Sequence, residues 1–276
     1  MKTVLAVHDL SCYAKSSLTV VVPALSAMGI EVSPLPTALL STQTDGFDNY
    51  FYKNLHTEQK MIVDHWKELD LSFDAVYSGF LGNSESIDMM IKIIEWQRSH
   101  DVLIVVDPVM GDNGTLYGPI TDDFVSRMKQ LVSFSDVLTP NLTEAALLLD
   151  EKYDENLDSD TCASWAKRLS MMGPSKVVIT SVMEKENSVV VSYEKDHDRT
   201  AIFSQTHFPV SYPGCGDLFT SILCGRLIIP ADFTSAVADS AKLVKLAIKR
   251  SYEDHVAQSH GVSPERIVRE LVSLSH

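Results

Sequence analysis

The sequence is poor in basic residues: 23 Lys and Arg stand against 37 Asp and Glu, a net charge of −14 over 276 residues. Such a surface repels phosphate backbones, which argues against nucleic acid as the main partner. It also means that any anionic substrate has to find a local positive site. Cysteine is scarce, with only Cys12, Cys162, Cys215 and Cys224. None forms a C-x-x-C pair and no histidines sit at zinc-ligand spacing, so neither a disulfide scaffold nor a zinc module is expected, and the thiols read as reduced. No apolar run approaches the roughly 20 residues that cross a bilayer. The N-terminal run Val4-Leu5-Ala6-Val7 turns polar at His8-Asp9, too soon for a signal-peptide core. A soluble cytoplasmic protein without a membrane partner is the expectation. Several motifs are missing as well: G-x-x-x-x-G-K-[ST], G-x-G-x-x-G, G-x-S-x-G and H-E-x-x-H. There is no internal repeat and no low-complexity segment.

What is present is an ordinary globular composition, 45% hydrophobic and 22% charged, in short β-rich runs alternating with longer amphipathic ones. The pattern predicts strands over 4–7, 31–35, 73–77, 102–106, 137–138 and 176–180. Pro34 and Pro36 are expected to close the second of these, and the unbroken apolar run 102–106 reads as a central parallel strand. Helices are predicted over 17–28, 57–69, 84–98, 122–132, from 143 to 149, 164–172, 218–227, 235–249 and 264–274, with Ser263 capping the last and Pro264 at its first position. Segments 188–192 and 200–205 fit a hairpin across the polar turn 194–199. The acidic run 150–160 reads as a solvated loop. Such alternation implies an α/β fold: a three-layer α/β/α sandwich with a mostly parallel central sheet. No linker-like shift divides the chain, so residues 1–276 are expected to form one domain.

In an open α/β sheet, ligands bind beyond the carboxyl ends of the strands. Those ends carry His8-Asp9, Ser78-Gly79-Phe80, Asp107-Pro108, Thr139-Pro140-Asn141 and Thr180-Ser181. The most specific local feature is Pro213-Gly214-Cys215-Gly216-Asp217 ahead of a predicted helix. Two glycines allow a tight turn whose N–H groups, with those of the helix start, make an anion site without a basic side chain. Asp217 could accept a hydroxyl proton beside a phosphoryl group held there, or serve only as a cap. The loop Asp107-Pro108-Val109-Met110-Gly111-Asp112-Asn113-Gly114 offers two carboxylates to Mg²⁺, or is a plain solvated turn. Asn141 and Glu144 have capping-box spacing, which is compatible with binding. His8 and His207 have no assignable role.

These three motifs, in this order and separation, resemble the ribokinase-like kinases. Leu116-Tyr117, Ser41-Thr42-Gln43-Thr44, Ser78-Gly79-Phe80-Leu81-Gly82 and Val178-Ile179-Thr180-Ser181 narrow the resemblance to the pyridoxal (vitamin B6) kinases, over essentially the whole chain. The resemblance implies ATP-dependent phosphorylation of the 5′-hydroxymethyl group of pyridoxal, pyridoxine or pyridoxamine on a ribokinase-like fold. It implies Asp217 as the base, with the N–H groups of Gly214, Cys215 and Gly216 on the transferring phosphoryl. Asp107, Asp112, Asn141 and Glu144 would organise Mg²⁺ and the phosphates, the metal falling to Asp107, Asp112 and Glu144. Thr180 and Ser181 would lie along ATP. Thr44 would meet the pyridine ring, with Asp9, Ser11 and Phe80 lining the same pocket. Members are usually homodimers, and many use a monovalent cation such as K⁺.

Two positions depart from the pattern. Many members carry Ser where Asp9 stands, and Thr or Ala where Cys215 stands. Asp9 is expected to accept a hydrogen bond from the ring, whereas the site needs the backbone N–H of Cys215 and not its thiol. The environment of a helix N-terminus should lower the Asp217 pKa. The alternatives are a hydroxymethylpyrimidine kinase of thiamine synthesis, whose members tend to have Cys at the Asp217 position, and a non-catalytic small-molecule sensor on the same fold.

Overall fold

The computed structural model describes residues 1–118 and 120–275. In chain order the strands are β1 (Thr3–Ser11), β2 (Glu31–Leu40), β3 (Tyr52–Asn54), β4 (Ala75–Ser78), β5 (Leu103–Val106), β6 (Gly111–Asp112), β7 (Thr115–Leu116), β8 (Val137–Leu138), β9 (Lys176–Glu184), β10 (Asn187–Glu194) and β11 (Arg199–Thr206). The helices are α1 (Leu18–Ala27), α2 (His56–Glu68), α3 (Ser84–Gln97), α4 (Asp122–Val132), α5 (Leu142–Leu149), α6 (Ser159–Ser170), α7 (Cys215–Ile228), α8 (Phe233–Glu253) and α9 (Val268–Val272). The main sheet has nine strands in the order β11-β10-β9-β8-β5-β4-β1-β2-β3. Its centre, from β9 through β2, is parallel, while β10, β11 and β3 add antiparallel edges.

Strand alternation divides the core into two layers. Leu5, Val7, Ile104 and Val106 pack on one face with residues of α3 to α6, and Val4, Ala6 and Val105 pack on the other with α1, α7 and α8. This is the expected α/β/α sandwich, and β5 is buried on both faces as its apolar run requires. The chain runs from β1 outward to β2, then returns to the far side of β1 at β4. That reversal opens a crevice beyond the carboxyl ends of β1 and β4, where an open α/β sheet takes its ligands.

Four local expectations need correction. β2 runs on to Leu40 through both prolines. Glu31 donates toward β1 through Lys2, so Pro34 and Pro36, of opposite parity, turn their missing N–H away from it, and β3 joins only at residues 38–40. α6 begins at Ser159 because Asp158, inside the acidic run, caps it by accepting from the Thr161 N–H at 2.8 Å. The C-terminal helix is broken into 3₁₀ turns around the five-residue α9, and Ser263 makes no side-chain cap bond. Strand β3 was not foreseen, since Tyr52–Asn54 is too short to show alternation. The hairpin of β10 and β11 forms as predicted, with Val191 opposite Ile202.

Candidate active site

α7 starts at the sheet's carboxyl edge. Its N-cap, Gly214, has φ 81°, a left-handed conformation that glycine adopts without penalty. A Cβ there would press on Val20 Cγ2 at 3.0 Å and the Lys15 carbonyl at 3.2 Å. The first helical N–H groups have no partner within the helix, and a Cβ on Gly216 would meet nothing closer than Asp107 Oδ2 at 3.8 Å. The turn therefore offers free donors to an open space beside a carboxylate. The Cys215 thiol is pushed up to about 12 by burial and stays neutral.

Asp217 lies in the first turn of α7. The expectation of a lowered pKa is overturned: burial pushes it up to about 7, the Asp9 charge adds to the rise, and the Ser17 N–H opposes it. Desolvation outweighs the helix terminus because the side chain is only 13% exposed, so little water is left to solvate the charged form. Asp107, at the end of β5, is buried and held well above the usual carboxylate range, first by desolvation and then by the Glu144 and Asp217 charges. Glu144 is also raised, by burial. No Lys or Arg pairs with any of these carboxylates in the ion pairs of the described residues.

Unpaired buried carboxylates suit a divalent cation. Among the described residues, however, no three His, Cys, Asp or Glu side chains form a set that could hold one. Glu144 spends its oxygens on the N–H groups of Met110 (3.1 Å) and Asn141 (2.8 Å). Asn141 accepts from the Glu144 N–H at 2.9 Å and donates to the Gly111 carbonyl at 2.8 Å, so the capping box exists and anchors the Asp107 loop. Asp112 is exposed on the β6–β7 hairpin, whose Asn113 and Gly114 have φ 49° and 74°. The donor set fits Mg²⁺ bound by one or two carboxylates with phosphate and water completing the shell.

On the other side of Asp217 sits a polar cluster from the β1–α1 connection. Asp9 is buried, its pKa raised by desolvation, and it accepts from the hydroxyls of Ser17 and, at 3.1 Å, Ser11. The Ser17 N–H donates to Asp217 Oδ2 at 2.8 Å. Ser17 has φ 49° and ψ −129°, a conformation costing a non-glycine residue about 1–3 kcal/mol. His8 is fully buried with neither ring nitrogen bonded, and Nδ1 is 3.8 Å from Asp217 Oδ1. Burial lowers its pKa to about 3, so the ring is neutral. It stands edge-on to Tyr77 at 4.3 Å, and a Cβ on Gly79 would strike it at 2.2 Å.

A cavity of about 360 Å³ opens on the α7 side. Cys215, Gly216, Thr180, Ser181, Asp112 and Asn113 form its polar wall, and β10, β11 and α8 its apolar one, with His207 and Lys245 also on the lining. The structure thus gathers Gly214, Cys215, Gly216, Asp217, Thr180 and Ser181 at one site, with Asp107, Asn141 and Glu144 beneath and Asp9 and Ser11 beside it. Phe80 is half-buried near Tyr52, whose hydroxyl lies 2.8 Å from a Cβ built on Gly82. Thr44 is exposed and makes no hydrogen bond among the described residues, whereas the hydroxyl of Thr42 is buried without a partner. Ser17, Tyr52 and Tyr77 went unnoticed in the sequence. Neither residue type nor spacing marks any of the three in the sequence.

The profile of the phosphomethylpyrimidine kinase family matches residues 24–264. A Bacteroides thetaiotaomicron protein classed as a phosphomethylpyrimidine kinase, crystallised with pyridoxal, is 36% identical, superposes with a TM-score of 0.93, and is matched over 98% of this chain and 95% of its own. Pyridoxal kinase from Lactobacillus plantarum superposes with a TM-score of 0.91 at 27% identity, over 99% of this chain and 98% of its own. Pyridoxal kinase of Arabidopsis thaliana is 28% identical over 244 residues, 84% of this chain and 76% of that one.

Proposed function

The chain belongs to the phosphomethylpyrimidine kinase family, and from that premise we propose that it transfers the γ-phosphoryl group of ATP to the 5′-hydroxymethyl group of a B6 vitamer. The observation that carries this reading is Asp217 in the first turn of α7, directly after Cys215 and Gly216 of the wall of the cavity of about 360 Å³ and hydrogen-bonded to Ser17 of the Asp9 cluster. A phosphate donor fits the side lined by Thr180, Ser181 and Gly216, and a small heterocycle with ring donors fits the side held by Asp9. The likeness to relatives named pyridoxal kinases supports the substrate class.

In this reading the vitamer's hydroxyl lies against Asp217, which takes its proton as the oxygen closes on the γ-phosphorus. The transition state is loose, so positioning and electrostatics supply most of the acceleration. The N–H groups of Gly214, Cys215 and Gly216 face the equatorial oxygens and hold the charge that develops there. Asp107, with Asp112 on the same loop, would hold Mg²⁺ together with phosphate and water, and the ion would neutralise charge on the phosphates. Glu144, its oxygens bonded to the Met110 and Asn141 N–H groups, would hold that loop in place and not the metal. A K⁺ ion, a homodimer, a cytoplasmic location and the whole of residues 1–276 as one kinase domain belong to the same reading and rest on resemblance.

The test is ADP release with Mg-ATP and, in turn, pyridoxal, pyridoxine, pyridoxamine and hydroxymethylpyrimidine. Turnover with a B6 vitamer is expected. Asp217→Asn should lower kcat by about 10²–10⁴-fold while ATP still binds. Turnover confined to hydroxymethylpyrimidine would favour the thiamine reading, and unchanged turnover in Asp217→Asn would remove the base assignment.

A further inference from the structure

We propose that Ser17 is a positioning residue that locks the ring-recognition carboxylate, Asp9, to the catalytic base, Asp217; the inference rests on the B6 kinase reading. Ser17 occupies the N-cap of α1, yet its side chain makes no cap hydrogen bond. The hydroxyl donates to Asp9 Oδ1 instead, while the backbone N–H donates to Asp217 Oδ2 at 2.8 Å. The residue is buried and holds φ 49° and ψ −129°, a conformation that suits glycine and strains serine. The chain thus carries at one position both a forfeited cap and backbone strain, and neither helps α1. Both are explained if one residue has to aim two donors at two carboxylates. A glycine would supply the N–H alone; only a residue with a hydroxyl serves both.

The two carboxylates need such a tie. Asp9 is buried and Asp217 is 13% exposed, and the Asp9 charge raises the cost of ionising Asp217. Ser11 satisfies Asp9 Oδ2 at 3.1 Å, leaving Oδ1 to Ser17. Because Asp9 contacts the ring and Asp217 contacts the reacting hydroxyl, a fixed Asp9–Ser17–Asp217 chain sets the distance between ring recognition and phosphoryl transfer. Holding reacting groups in register is what positioning residues contribute to rate.

Two substitutions separate this role from a structural one. Ser17→Gly keeps the N–H, relieves the strain and removes the hydroxyl. Ser17→Ala keeps the N–H and the strain and also removes the hydroxyl. The pyridoxal KM, and the pyridoxal dissociation constant measured without ATP, should rise about tenfold or more in both variants, as expected for losing a hydrogen bond to a charged group. Thermal stability should instead follow the backbone, with Tm of Ser17→Gly above that of Ser17→Ala. The inference is overturned if Ser17→Gly matches the native protein within twofold in both constants, or if the two variants differ in affinity in step with their Tm. A native protein that binds pyridoxal without turnover would overturn the kinase reading and leave the binding arm decisive for Ser17. A native protein that turns over normally, beside an unaltered Ser17→Gly, would overturn the Ser17 inference alone.

Discussion

Asp217 shows how a single residue can set stability against function. In an unfolded chain an aspartate titrates near 3.9, whereas in the folded protein burial moves Asp217 to about 7. Between those values the folded state keeps a proton that the unfolded state has lost. Stability therefore falls as pH rises through that window, and the full cost is present above pH 7. Replacing Asp217 with Asn should raise Tm by several degrees at pH 8 in metal-free protein and leave it unchanged at pH 4. Scanning calorimetry at the two pH values checks this; a variant less stable than the native protein at pH 8 would refute the account. If Asp217 is the base as proposed, transfer needs the ionised carboxylate, and kcat/KM should also decline about tenfold per unit as pH drops below about 7. The sequence made the identity of this residue legible through the glycines beside it, but not its titration, because burial depends on how the β1–α1 connection folds over it. The same reason hid Ser17 and Tyr52, which reach the site through backbone geometry and not through a motif.

At the scale of elements, most helices were legible from the spacing of their apolar residues and the inner strands from short unbroken apolar runs, buried on both faces. α4 and β8 begin and end where the pattern of apolar residues places them. What the pattern missed are places where hydrogen bonding overrides composition: prolines tolerated on the open side of β2, and an acidic stretch whose last residues start a helix. Asp158 is the test. Its carboxylate accepts from the Thr161 N–H at 2.8 Å, while Asp160, two residues on, lies in the first turn of α6 without such a bond. Asp158→Ala should cost about 1 kcal/mol of stability in urea titration, and Asp160→Ala no more than a few tenths through the helix dipole. Equal losses would mean that the acidic run acts through its charge alone. The outcome separates a structural cap from the solvated charges around it, which share its composition but not its geometry.

Across the whole molecule, the charge of −14 bears on how a nucleotide arrives. Many of the basic side chains are already engaged in surface pairs, such as Arg127 with Asp88 and Asp123 and Arg199 with Glu194 and Asp232. The buried carboxylates Asp107 and Glu144 and the partly exposed Asp217 belong to the site, and Lys245 lies on the cavity wall. In the proposed reading, attraction at close range would come from N–H dipoles and the cation carried by the nucleotide, both of which act within a few ångströms, while the long-range field of a net negative surface is repulsive. At an ionic strength of about 0.01 M that field reaches roughly 30 Å, and at about 0.15 M roughly 8 Å. Raising salt across this interval should lower KM for Mg-ATP by about two- to fivefold, the reverse of the trend for enzymes with a basic entrance. KM for uncharged pyridoxine should stay level over the same range, because no net charge is steered. Initial rates at the two ionic strengths decide it: a Mg-ATP KM that rises with salt would reveal a cationic approach to the cavity, and a parallel shift for pyridoxine would place the effect in the fold and not in the field.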